Sequence, residues 1–130
     1  MKKVFVAMAR NYARVWTGDL ESHSKPLIIQ EPVTSKEYLG QLDRFFSGRN
    51  RAKLAPTFVS KLYSQVKDAE EIFLVGAGKG KSSAVGGFVS HLRKYHPEVA
   101  ERVRRIERVD LESMSEPEIL DAFRKMALRP

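Results

Sequence analysis

The stretch Glu71 to Phe88, EIFLVGAGKGKSSAVGGF, constrains this chain most. An apolar run, Ile72 to Val75, meets glycines at 76, 78 and 80 that alternate with Ala77 and Lys79, and Lys81-Ser82-Ser83 follow. A short apolar run bounded by glycine reads as a buried strand, and Val85, Phe88, Val89 and Leu92 recur at helical spacing from Ser82 onward. The stretch is therefore a strand, a tight turn and a helix. Free amide groups at a helix start, with the helix dipole behind them, favour an anion. Gly76, Gly78, Lys79, Gly80, Lys81, Ser82 and Ser83 are accordingly the candidate phosphate-binding residues. The structural reading stands beside this one: glycines here also permit the turn and close strand–helix packing.

The turn is not a P-loop. That motif places four residues between its first glycine and Gly-Lys-Ser/Thr, so that successive amides wrap the phosphates. Gly80-Lys81-Ser82 supplies the end, but only three residues separate Gly76 from Gly80, and Val75 stands where the first glycine belongs. No later apolar strand ends in a clear magnesium-binding Asp, Val109-Asp110 being the nearest candidate.

With 130 residues, the chain has room for one domain with a single sizeable core, taken as residues 1–130. At 42% hydrophobic and 30% charged residues it reads as soluble and globular. No cysteine is present, which excludes disulfides, thiolate chemistry and cysteine-based zinc sites and suits a cytoplasmic location. The start, MKKVFVAMA, imitates a signal peptide, but its apolar run stops at Ala9, too short for one. No stretch approaches membrane-spanning length. The net charge of +7 favours polyanion partners. Between Arg44 and Lys67 lie Arg44, Arg49, Arg51, Lys53, Lys61 and Lys67 without one acidic residue. The later arginines 102, 104, 105 and 108 are interleaved with Glu101 and Glu107.

Along the chain, Lys3–Ala9 reads as a strand, Arg10-Asn11-Tyr12 as a turn, and Ala13–Thr17 as its hairpin partner. Pro26–Gln30 gives a third strand, completing an antiparallel meander. Trp16 is expected in the packing. Thr34–Glu37 fits a capping box ahead of a helix with Tyr38, Leu39, Leu42, Phe45 and Phe46. Arg49 to Lys53 reads as an exposed basic loop. Pro56 opens a helix with Phe58, Val59, Leu62, Tyr63 and Val66 on one face. After the central strand and its helix, Pro97 begins a short turn, and Arg104–Leu111 is the last strand. Ser115–Glu118 is a second capping box for a helix carrying Ile119, Leu120, Phe123, Met126 and Ala127. The order βββ-α-α-β-α-β-α implies an α/β sandwich with later parallel crossover strands.

The meander, the run EEIFLVGAGKGKSS and the following SHLRKYHPEVAERV resemble the bacterial relatives of the archaeo-eukaryotic peptide-chain release factor and pelota middle domain. That group includes proteins described as translational machinery components or as required for attachment to host. The resemblance spans Lys3 to Met126 and rests largely on a strand–turn–helix signature. It implies a ribonuclease-H-like α/β fold, a mixed sheet flanked by helices, and association with RNA or the ribosome. The release-factor Gly-Gly-Gln tripeptide is absent; Ser47-Gly48-Arg49-Asn50-Arg51 stands in its region, so peptidyl-tRNA hydrolysis by that motif does not carry over.

The residues offer little to an enzyme. A two-metal nuclease of this fold wants a carboxylate on the first strand, and Lys2 to Arg10 has none. Asp68, Glu70 and Glu71 sit at the opposite end of the central strand from the glycine turn, as solvated charges. His91 and His96 are five apart, about 140° round a helix, off the four-residue spacing that aligns ligands. His23 lies in a polar loop. No serine has a nucleophile-elbow setting. No catalytic residue, metal site or cofactor is assigned. The leading expectation is a non-catalytic RNA- or ribosome-binding domain, with Arg44, Arg49, Arg51, Lys53 and Lys61 on backbone phosphates. The alternative is a small protein binding a nucleotide or phosphorylated metabolite at residues 76–83. A third is an interaction module, a homodimer through a sheet edge or the C-terminal helix.

Overall fold

The structure, a computed structural model, describes residues 2–9, 12–18, 25–30, 56–76 and 83–128, with only the backbone at residue 112. The strands are β1 (Lys3–Ala9), β2 (Tyr12–Thr17), β3 (Leu27–Gln30), β4 (Glu71–Gly76) and β5 (Val103–Arg108). The helices are α1 (Pro56–Val66), α2 (Ala84–Tyr95), α3 (Pro97–Ala100) and α4 (Glu116–Leu128), with a 3-10 turn at Leu111–Ser113. The expected helix from Tyr38 to Phe46, with its capping box, and the basic loop from Arg49 to Lys53 lie outside the described residues.

Five strands form one sheet in the order β3-β2-β1-β4-β5. β1, β2 and β3 pair antiparallel, with Ala9 opposite Tyr12 and Tyr12 opposite Gln30. β4 runs parallel to β1, Val4 beside Ile72, and β5 runs parallel to β4. An antiparallel hairpin needs only a tight turn, whereas each parallel neighbour needs a crossover, and helices supply those. The arrangement is a ribonuclease-H-like mixed sheet with helices on both faces.

Alternation along β1 sorts its side chains into two cores. Val4, Val6 and Met8 join Ile72 and Leu74 against Phe58, Leu62 and Val66 of α1 and Val85, Phe88 and Leu92 of α2. Phe5 and Ala7 join Trp16, Phe73 and Val75 against Ile119, Leu120, Phe123 and Met126 of α4. β1 and β4 are buried on both sides, which is why each reads as a continuous apolar run. On the α4 face, Phe5 stacks on Phe73 with centroids 5.0 Å apart, and Phe123 meets Phe5 at 5.2 Å and Trp16 at 5.7 Å.

Besides shifts of one residue at β3 and β4, several boundaries differ from the sequence expectation. β2 begins at Tyr12, which pairs with Ala9 instead of forming part of the turn. α2 begins at Ala84, because Ser83 holds an extended backbone (φ −83°, ψ 159°) and caps the helix. The last strand covers Val103–Arg108; beyond it the Val109 amide still donates to the Gly76 carbonyl at 2.9 Å, but Leu111 turns into the 3-10 segment and packs against the α4 core. The second capping box forms as expected: the Ser115 amide donates to Glu118 Oε1 at 3.1 Å, and the Glu118 amide faces Ser115 Oγ at 3.4 Å. The Ser115 amide, and then the Ser115 hydroxyl donating to the same Oε1 at 2.9 Å, hold the exposed Glu118 carboxyl below its ordinary range.

Candidate functional site

β1, β4 and β5 run in one direction, so their carboxyl ends share one edge of the sheet. The chain leaves β1 toward β2 on one side and β4 toward β5 on the other, which makes the gap between Ala9 and Gly76 the switch point of the sheet. Ligands of open α/β sheets bind at that place, because departing connections open a crevice there.

Gly76 closes β4 with no room for a side chain. A Cβ there would lie 2.6 Å from Val85 Cγ2 and 2.8 Å from the Met8 carbonyl oxygen. Close approach of β1, β4 and the start of α2 therefore explains the first glycine of the turn, as the structural reading expects. Ser83 closes the turn at the other side, 9% exposed, its Oγ accepting from the Gly86 amide at 2.9 Å. The amides of Ala84 and Val85 complete the helix start, with no intrahelical acceptor available to them.

Charge separates the two faces at this edge. α2 enters from the turn, and α1 reaches β4 through residues 67–70, so both helices point their amino ends toward the carboxyl edge. Neither has an acidic residue in its first turn. The sequence carries no Asp or Glu from Ile72 to Pro97, nor from Arg44 to Lys67. α4 starts at the same edge on the opposite face, but Glu116 and Glu118 offset its dipole. On the α1/α2 face the edge thus carries two helix starts whose dipoles no first-turn carboxylate offsets.

Of the candidate phosphate-binding residues, Gly76 is the last residue of β4 and Ser83 the N-cap of α2; Gly78, Lys79, Gly80, Lys81 and Ser82 lie outside the described residues. Of the candidate nucleic-acid contacts, Arg44, Arg49, Arg51 and Lys53 also lie outside them. Lys61 is exposed on α1, where its carbonyl accepts from Ser64 Oγ at 2.7 Å. Among the described residues no contact or cavity joins Lys61 to Gly76 or Ser83. Arg102, from the later basic set, serves the fold: its guanidinium donates to the carbonyls of Lys67 and Ala69 at 3.0 and 3.3 Å. Glu71 lies 4.0 Å from Arg104 in a partly exposed pair.

The histidines are closer together than their spacing implies. His96 leaves α2 (φ −141°, ψ 62°), so the helical angle no longer applies to it. Its ring stacks on Tyr63 at 3.9 Å, and His91 lies 5.8 Å from it. Burial, and then the neighbouring His96, hold His91 below the ordinary imidazole range. Among the described residues no group of three or more acidic or histidine side chains could hold a metal ion.

A second feature escaped the sequence. Cross-strand pairing sets Ala7 beside Arg14 and Ala9 beside Tyr12 on the α4 face. With Leu111 and Ile119 these line a cavity of about 160 Å³ at the carboxyl end of the sheet. Only register reveals that two alanines on one strand leave space beside a tyrosine and an arginine on the next.

The sheet edges differ in character. β5 exposes Ile106 by 48% between the exposed Arg104 and Arg108, and an antiparallel copy centred on Ile106 would set these arginines opposite each other, which is unfavourable. β3 exposes Leu27 and Ile28 by about half. No helix among the described residues is long and apolar enough to cross a membrane.

Neither a protein-family model nor a curated protein matches the sequence. Among solved structures, the chain is similar to Archaeoglobus fulgidus Pelota, with a TM-score of 0.57 and 16% identity over 95% of this chain and 31% of that one. It is also similar to an archaeal translation termination factor, with a TM-score of 0.49 and 12% identity over 97% of this chain and 39% of that one. The likeness to Pelota is one of fold, and the chain spans under a third of Pelota's length.

Proposed function

We propose that the chain is a non-catalytic RNA- or ribosome-binding domain, related to the middle domain of the release-factor and pelota group and acting in translation in the cytoplasm. The observation that carries this reading is the pair of helix starts at the carboxyl edge. Two helices start there without acidic first-turn residues, and the sequence around them contributes lysine and arginine without carboxylates. The fold shared with Pelota agrees with the family resemblance of the glycine-turn stretch.

Arg49, Arg51 and Lys53, with Arg44 and Lys61 beside them, bind backbone phosphates in this reading. Lys79, Lys81 and the amides of Gly78 to Ser82, set between Gly76 and Ser83, hold a further phosphate. Contacts of this kind position a partner without reading its sequence and release counterions on binding. Affinity therefore falls steeply with salt.

The helix start capped by Ser83 beside the switch point favours one second reading: a nucleotide or phosphorylated metabolite bound at residues 76–83. One experiment separates them. Fluorescent single- and double-stranded RNA, transfer RNA and purified ribosomes are titrated across a salt series with ATP and GTP as competitors. Tight, salt-sensitive and nucleotide-indifferent binding supports the leading reading. Displacement by micromolar nucleotide supports the second, and no polyanion binding at low salt overturns the first.

A further inference from the structure

We propose that the cavity between β1, β2 and the start of α4 receives a single pyrimidine base of a single-stranded RNA, a role that rests on the RNA-binding reading and adds a base pocket to it. The cavity is built, not incidental to a loop. Its floor is Ala7 and Ala9 of β1, and its walls are Leu111 of the 3-10 turn and Ile119 of α4. Tyr12 and Arg14 of β2 form the polar side, held in register opposite the two alanines. On the same face of the sheet, Phe5 and Trp16 pack their rings against Phe123.

Volume limits the occupant. A cavity of about 150 Å³ holds a benzene-sized ring, and this one, at about 160 Å³ and open to solvent beside the exposed Ala9, has room for one six-membered ring. Polarity then selects among single rings. The Arg14 Nε–H donates to the Tyr12 hydroxyl, and among the described residues that is the polar partner of its guanidinium. The remaining guanidinium N–H groups are donors only, so a ring that displaces the water around this half-buried side chain must offer acceptors in its own plane. Pyrimidine bases carry a ring carbonyl there. The Arg14 guanidinium lies over the Tyr12 ring, 5.3 Å from its centroid, and a planar cation of this kind is itself a surface on which unstacked bases rest. A splayed base is what single-stranded RNA presents. The cavity lies at the same edge of the sheet as the glycine turn but on the α4 face, so a strand held at the turn by its phosphates must cross the edge to place one base inside.

The test uses the full chain. Ala7 and Ala9 methyl resonances are followed by NMR during titration with uridine 5′-monophosphate, adenosine 5′-monophosphate and ribose 5-phosphate. In parallel, oligouridylate and oligoadenylate binding is compared for the wild type, Ala9→Leu, which fills the cavity from an exposed position, and Arg14→Gln. The proposal expects uridine monophosphate alone to shift both methyls. It also expects a preference for oligouridylate of about tenfold, in line with one stacked or hydrogen-bonded base, which both variants abolish while keeping oligoadenylate affinity. Arg14→Gln keeps the test valid if Ala9→Leu fails to fold, and the methyl titration needs no variant. Equal shifts from ribose 5-phosphate would mean a phosphate site and overturn the base assignment. So would larger shifts from the adenine nucleotide, or no shifts at millimolar ligand. RNA binding without base preference or methyl shifts overturns this pocket and leaves the RNA reading standing. Methyl shifts with uridine monophosphate, without any RNA binding, support the pocket as a base site and overturn the RNA reading.

Discussion

Gly76 and His91 show how single residues are tied to their surroundings. An alanine at 76 would press its methyl on a Val85 methyl and on the Met8 carbonyl. The side chain can yield; the carbonyl, fixed within the β1 strand, cannot. Gly76→Ala should lose about 1–3 kcal/mol, the usual cost of overpacking, in urea unfolding. Gly76→Ala/Val85→Ala should not recover it, since the carbonyl contact stays and the second change empties core volume. Full recovery would mean that Val85 alone demands the glycine. At His91 the fold favours the neutral ring, through burial first and His96 second. The unfolded chain therefore binds that proton more readily. The stabilisation is complete above the unfolded imidazole value of about 6.5, and it is lost as pH falls through that value and on past the lower folded one. His91→Gln should narrow the stability difference between pH 7.5 and pH 5. An unchanged difference would place the acid sensitivity elsewhere.

At the scale of elements, caps and apolar spacing were the legible part of the fold. Ser115 and Glu118 announce α4, Pro56 announces α1, and both helices bury the faces their spacing predicts. The sheet was legible in its strands and less so in its seams. Register sets Val103 beside Ile72 but Arg105 beside Phe73, an irregularity that nothing in the string VRRIER signals. The pocket at Ala7, Ala9, Tyr12 and Arg14 was hidden for the same reason, since it exists only across a pairing. His96 was misjudged because helical angles were applied beyond the helix end. Two substitutions test the elements themselves. Ser83→Ala removes the acceptor of the Gly86 amide and should cost about 1 kcal/mol, read as faster hydrogen exchange in the first turn of α2. Phe123→Ala removes the ring shared by Phe5 and Trp16 and should cost about 3–5 kcal/mol, enough to unfold a marginal domain.

For the whole molecule, the distribution of charge matters more than its sum. A net charge of +7 attracts any polyanion at low salt, so binding alone would be weak support for a particular site. The arrangement makes a sharper claim. In sequence, Lys79 and Lys81 directly precede a helix start and could hold one phosphate, whereas the block from Arg44 to Lys67 could neutralise several along a backbone. Reversing two charges in either place changes the net charge equally, from +7 to +3, so a nonspecific attraction would suffer equally from both changes. Arg49→Glu/Arg51→Glu should reduce RNA affinity far more than Lys79→Glu/Lys81→Glu, and should also flatten the dependence of log affinity on log salt by about 2. Lys79→Glu/Lys81→Glu should instead abolish any binding of nucleotide or inorganic phosphate. Equal losses from the two pairs would reduce both sets of charges to a solvated surface that happens to attract polyanions, and the RNA-binding reading would fall with it.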